Sequence, residues 1–121
     1  MLLVEDDAEV RAVVHTFLDM LGCKVTSCAS AEQALPALTP DARFDLLLSD
    51  IVLGAGMRGT GLAAQAQRLV PSLGVLLMSG FSAELLDADR DSPPSWELLR
   101  KPCSREELAR AMAKALEARF R

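Results

Sequence analysis

The stretch LLLSDIVLGAGMRG, residues 46–59, runs apolar as far as Leu48, carries Ser49 and one acid at Asp50, and then breaks into glycines. With Phe44 ahead of it, the segment Phe44–Ser49 is apolar at nearly every position. That is the pattern of a strand buried on both faces, and so of a parallel sheet covered by helices above and below. An acid at the mouth of such a strand can cap a helix, begin a turn, bind a metal or act as a nucleophile. The segments on either side have to decide among these.

Upstream, Leu2–Val4 is a short apolar run followed by Glu5, Asp6 and Asp7, and then by Val10, Val13, Val14, Phe17, Leu18 and Leu21 at helical spacing. Gly22 stands where a left-handed residue closes that helix, and Cys23–Cys28 reads as a second strand. Ser30 with Gln33 is a capping box opening a helix that turns Leu35 and Leu38 inward and that Pro36 should kink or shorten. Downstream, Thr60 caps a third helix reaching Val70, ahead of Pro71, and Gly74–Met78 repeats the buried-strand signature. A short helix over Ser82–Asp89, a strand over Trp96–Arg100 and a last helix opened by Ser104 and Glu107 complete the order. Leu108, Ala111, Met112, Ala115 and Leu116 form the inner stripe of that last helix. In SAELLDADRDSPPSW, residues 82–96, an acidic run and two prolines leave the fourth of five helices short or irregular. Strands alternating with helices describe a doubly wound α/β domain with five parallel strands, spanning residues 1–121.

A chain of 121 residues that is 50% hydrophobic can bury a single core. No apolar run approaches the roughly 18 residues that cross a bilayer, and no signal peptide is visible, so a cytoplasmic domain without membrane contact is expected. A net charge of −4 argues against nucleic-acid binding, which needs clustered Lys and Arg. Cys23, Cys28 and Cys103 lack metal-type spacing and read as buried or idle thiols. His15 falls off the apolar stripe and is expected to face solvent. Met1 almost abuts the first strand, which hints at sequence upstream.

Ligands of such folds bind beyond the carboxyl ends of the strands. The residues directly after the strands should therefore converge: Glu5 and Asp6, Asp50, Ser79 and Lys101. Carboxylates brought within about 5 Å repel by roughly 3 kcal/mol per pair at an effective dielectric near 20, and so call for a cation. Oxygen ligands without His or Cys suit Mg²⁺, which commonly shares its shell with phosphate oxygens. Ser79 can donate a hydrogen bond to a phosphoryl oxygen and Lys101 supplies fixed positive charge. This is an arrangement for phosphoryl transfer, with Asp50 as a nucleophile that needs no base. Asp7 reads as the cap of the first helix.

LLVEDD (2–7), LLLSD (46–50), LLMSG (76–80) and RKP (100–102), in this order and each at a strand end, resemble the receiver domain of two-component response regulators over essentially the whole chain. The resemblance implies a flavodoxin-like sheet of order 2-1-3-4-5 and a cis bond before Pro102. By the same resemblance Asp50 accepts a phosphoryl group, Glu5, Asp6, Asp50 and the backbone carbonyl of Val52 hold Mg²⁺, and Ser79 and Lys101 contact the phosphoryl oxygens. The donor would be a phosphohistidine on a histidine kinase or histidine phosphotransfer protein, and the domain would be a switch or relay, not a turnover enzyme. DIVLGAGMRG is closest to receivers fused to hybrid histidine kinases. Gly54 replaces a proline that many receivers carry. In the switch region ahead of Pro102, Leu98 stands where the family's usual switch has an aromatic, which points to output through another surface, such as the first helix, or to a relay role. The apolar Val52 and Phe81 offer no polar side chain to position a hydrolytic water. The alternative is a receiver-fold docking module that regulates a partner without phosphorylation.

Overall fold

The computed structural model describes residues 1–39, 41, 44–53, 58–80, 86–87, 90, 93 and 95–118. Strands β1 (Leu2–Val4), β2 (Thr26–Cys28), β3 (Leu46–Asp50), β4 (Gly74–Ser79) and β5 (Glu97–Arg100) form one sheet of order β2-β1-β3-β4-β5. All its pairs are parallel, as the doubly wound reading requires. Among the described residues the helices that cover it are α1 (Ala8–Met20), α2 (Ala31–Ala34) and α3 (Gly59–Leu69), with α4 (Arg105–Ala118) after the last strand.

The pleat divides the strand residues between two cores. Leu2, Val4, Leu47, Val75 and Leu77 pack against α2 and α3, with Leu98 partly buried beside them. Leu3, Leu46, Leu48, Leu76 and Met78 pack against α1 and α4. Both faces of β3 and β4 are thus dry, which is why their sequences do not alternate.

Local signals act largely as expected. Gly22 adopts φ +81°. Asp7 caps α1 by accepting from the Glu9 and Val10 amides at 2.9 and 3.2 Å. Ser104 and Glu107 bond reciprocally at 3.0 and 3.1 Å. Ser30 accepts from the Gln33 amide at 3.2 Å, while the Gln33 side chain reaches back to Ala29 at 2.8 Å. With Pro36 following, α2 ends after one turn and continues as a 3₁₀ turn over Leu35–Ala37. The Lys101–Pro102 bond is cis.

Several boundaries differ from the sequence expectation. Strand β2 starts at Thr26, not Cys23, because its one neighbour β1 offers three residues to pair with. Strands β3 and β4 each run one residue further, so that Asp50 and Ser79 belong to the sheet, with Asp50 opposite Met78. Strand β5 starts at Glu97, since the Trp96 amide is taken by the Pro93 carbonyl at 3.0 Å. Thr60 does not cap α3. The helix begins at Gly59, whose amide donates to the Ile51 carbonyl at 2.7 Å, so the end of β3 anchors the helix start. Val13 on α1 and Leu21 just after it are exposed, because a straight helix on a twisted sheet turns chiefly Val14 and Leu18 inward. His15 keeps a side chain that is 37% exposed, in line with its place off the apolar stripe, and its Nδ1 lies 2.6 Å from the Ser27 hydroxyl, tying α1 to β2. Of the expected helix over 82–89, Leu86 and Asp87 are described and helical; its other residues, Phe81 and the stretch 54–57 lie outside the described residues.

Candidate functional site

Because β1, β3 and β4 run parallel and in register, their carboxyl ends reach the same edge together. Glu5 and Asp6 follow β1, Asp50 and Ser79 end β3 and β4, and Lys101 follows β5. These residues, with Val52, line one cleft of about 320 Å³. The expected convergence is therefore met by Glu5, Asp6, Asp50, Val52, Ser79 and Lys101. Pro102 and Leu98 lie away from it, Pro102 on a neighbouring apolar cleft and Leu98 in the core.

Lys101 is the hub. Its Nζ donates to Asp50 Oδ2 at 3.0 Å and to Glu5 Oε2 at 3.1 Å. Its backbone is held by the bond from its amide to the Ser79 carbonyl at 2.8 Å. Burial alone would lower the lysine's pKa, but the Asp50 carboxylate, and then Glu5, raise it above the ordinary value. The ammonium is thus a permanent charge.

Glu5 is 1% exposed, an unusual place for a carboxyl group. Its Oε1 accepts from the Asp7 amide at 3.2 Å. Burial, and after it the charge of Asp50, pushes its pKa up to about 7, although the Asp7 amide and Lys101 pull the other way. Because this lies above the ordinary 4.5, Glu5 contributes stability that is complete below about pH 4.5 and lost as pH rises through about 7. The resulting cost to the metal-free domain is on the order of 3 kcal/mol. Urea denaturation of wild type and Glu5→Gln at pH 5 and pH 8 is expected to show this as a difference between the two proteins that widens with pH.

Carboxylate oxygens of Glu5, Asp6 and Asp50 lie within 4.8 Å of one another. Three acids face one ammonium, which leaves a negative pocket of hard oxygen donors suited to Mg²⁺ in type and spacing. The Lys101 ammonium offsets part of the repulsion that the sheet geometry itself imposes.

One residue essential to this geometry carries no motif. A Cβ on Gly59 would lie 2.0 Å from the Asp50 carbonyl oxygen and 2.9 Å from its carbon. The first turn of α3 thus sits directly against the backbone of the central acid. Ser49 reinforces the same spot, donating its hydroxyl to the Asp50 carbonyl at 2.8 Å. A glycine a few residues after a strand-end acid was the available signal, but glycines are equally at home in loops.

The family model described as the response regulator receiver domain matches residues 1–113. The response regulator receiver protein CpdR of Brucella abortus is 34% identical over 117 residues, covering 97% of this chain and 96% of CpdR. The alginate biosynthesis transcriptional regulatory protein AlgB of Pseudomonas aeruginosa is 33% identical over 98% of this chain, which spans 26% of AlgB. Among solved structures, a response regulator receiver protein from Sinorhizobium medicae superposes with TM-score 0.87 at 27% identity, over 98% of this chain and 94% of that one.

Proposed function

The chain belongs to the response regulator receiver domain family, and from that premise we propose that it is a phospho-accepting receiver with Asp50 as the acceptor. The observation that carries this reading is Lys101, bonded to Asp50 and Glu5 at once in a cleft where three carboxylates meet. In the reaction a carboxylate oxygen of Asp50 attacks the phosphorus of a phosphohistidine; an O–P bond forms, the N–P bond breaks and the imidazole leaves. Hydrolysis of the aspartyl phosphate then resets the domain.

Glu5, Asp6 and Asp50, with the backbone carbonyl of Val52, would hold Mg²⁺, which when bound supplies charge neutralisation for an incoming phosphoryl group. Lys101 holds the acceptor and stabilises charge on the phosphoryl oxygens, and Ser79 donates to one of them. Residues 1–121 form one receiver in this reading, acting in the cytoplasm. The partner is a histidine kinase or histidine phosphotransfer protein. An apolar cleft of about 550 Å³, lined by Val10, Val13, Phe17, Lys101, Pro102 and Cys103, shares Val10 and Lys101 with the cleft that holds Asp50 and offers that partner a surface. Kinship to receivers of hybrid kinases rests on the sequence of 50–59 and remains part of this proposal; the relatives named above are a receiver protein and a transcriptional regulator.

The test is intact-mass measurement after incubation with Mg²⁺ and a small acyl phosphate, repeated with a phosphohistidine donor. One phosphoryl group is expected on the wild type and none on Asp50→Asn. No labelling from either donor, or labelling that survives in Asp50→Asn, overturns the proposal; the first outcome would leave the docking module. Since Mg²⁺ prefers ionised Glu5, its affinity is expected to rise with pH up to about 7.

A further inference from the structure

Strand β1 ends its ladder at Val4, so the carbonyl of Glu5 lies just beyond the sheet although its residue is buried. It accepts a hydrogen bond from Arg11 Nη1 at 2.7 Å. The carbonyl belongs to the peptide that joins Glu5 to Asp6. On the other side of Glu5 the amide donates to the Cys28 carbonyl at 3.1 Å, and Arg11 is itself fixed in α1 by the bond from its amide to the Asp7 carbonyl at 2.9 Å. Burial raises the Cys28 thiol's pKa and the Arg11 charge opposes it, as expected for a guanidinium lying under the acidic turn, toward β2.

We propose that Arg11 is a positioning residue for the acidic pocket: by clamping the Glu5–Asp6 peptide it turns both carboxylates toward one cation. This rests on the reading of that pocket as a Mg²⁺ site. A charged donor on a backbone carbonyl is a strong, directional contact. Without it the peptide plane can rotate, and a small rotation separates two carboxylates attached on either side of it.

Charge and positioning predict opposite signs here. A guanidinium close to a cation site repels the cation, so loss of its charge alone would tighten Mg²⁺ binding. Loss of the clamp would weaken it, and supporting contacts of metal ligands are typically worth about 10- to 100-fold in affinity.

The experiment is calorimetric titration of Mg²⁺ into wild type, Arg11→Met, Arg11→Gln and Arg11→Lys at constant ionic strength, with circular dichroism to confirm folding. Arg11→Met, which keeps an unbranched stem and loses the donor, is expected to bind about tenfold more weakly. Arg11→Lys, which keeps the charge and an N–H donor near the carbonyl, should recover much of that loss. Unchanged or tighter binding by Arg11→Met overturns the proposal, as does equal weakening in Met and Lys. If Arg11→Met does not fold, Arg11→Gln decides: the charge is gone and the shorter side chain falls short of the Glu5 carbonyl, so weakened binding supports the clamp while wild-type or tighter affinity overturns it. Failure of the wild type to bind Mg²⁺ instead removes the metal-site reading itself, and the clamp's role with it.

Discussion

Gly59→Ala is expected to destabilise the domain by about 3 kcal/mol or more, at the upper end of what overpacking costs. A methyl group there would lie 2.0 Å from the Asp50 carbonyl oxygen and 3.0 Å from the Ile51 Cα, all of it backbone of the Asp50–Ile51 peptide. No side chain rotation can relieve such a contact. Either α3 moves away from β3, breaking the 2.7 Å bond from the Gly59 amide to the Ile51 carbonyl, or the strand end carrying Asp50 moves. Thermal denaturation should report the first as a melting temperature roughly 10 °C lower. The second should slow acceptance of the phosphoryl group by about 100-fold, the usual consequence of displacing a reacting group by 1 Å. A variant that melts within a degree or two of wild type would show that the helix start yields freely. The position would then have no structural claim on glycine.

Lys101→Met is expected to have the second-largest effect, one that depends on pH. In wild type the ammonium lies between Glu5 and Asp50, and its removal at pH 8 leaves their carboxylates facing each other without a cation between them. Breaking such a pair costs about 3 kcal/mol. The cost is bounded because Glu5 can take up a proton, and its pKa already stands at about 7. In the variant that pKa rises further, so the stability lost as Glu5 ionises is lost over a range extending above pH 7. At pH 5.5 Glu5 is protonated in both proteins, and the penalty should fall to about 1 kcal/mol, from Asp50 alone. Urea denaturation at the two pH values checks the sign: a penalty that grows toward acid would contradict it. Mg²⁺ at pH 8 is expected to restore part of the loss, because binding to the native state stabilises it by mass action. Labelling by an acyl phosphate should still slow by about 100-fold, since a charged donor to the developing phosphoryl charge is gone.

The architecture was legible because its signals are local and repeated. Dry strands reveal themselves as largely apolar runs, and LLLSD and GVLLMS are such runs on strands buried at every position. Caps such as Asp7 and Ser104 act within four residues of themselves, so their reading carried over directly. Readings that failed depended on a partner elsewhere in the fold. Thr60 looked like a cap, but the helix start is set by Ile51 across the site. Strand β2 looked twice its length, but β1 limits it.

The candidate site divides along the same line. Sequence by itself determined which side chains stand at the strand ends, because a parallel doubly wound sheet brings all carboxyl ends to one edge whatever the details of packing. Glu5, Asp6, Asp50, Ser79 and Lys101 follow from that rule. Tertiary structure decided how they act on one another. Lys101 reaches Glu5 across 96 positions of chain, Glu5 becomes buried and strongly proton-binding, Gly59 closes on the Asp50 backbone, and Arg11 grips the peptide between the two first acids. The physical reason is that desolvation, steric contact and charge pairing depend on distance in space. A residue's type names the interactions open to it, and the packing around it selects which of them are made.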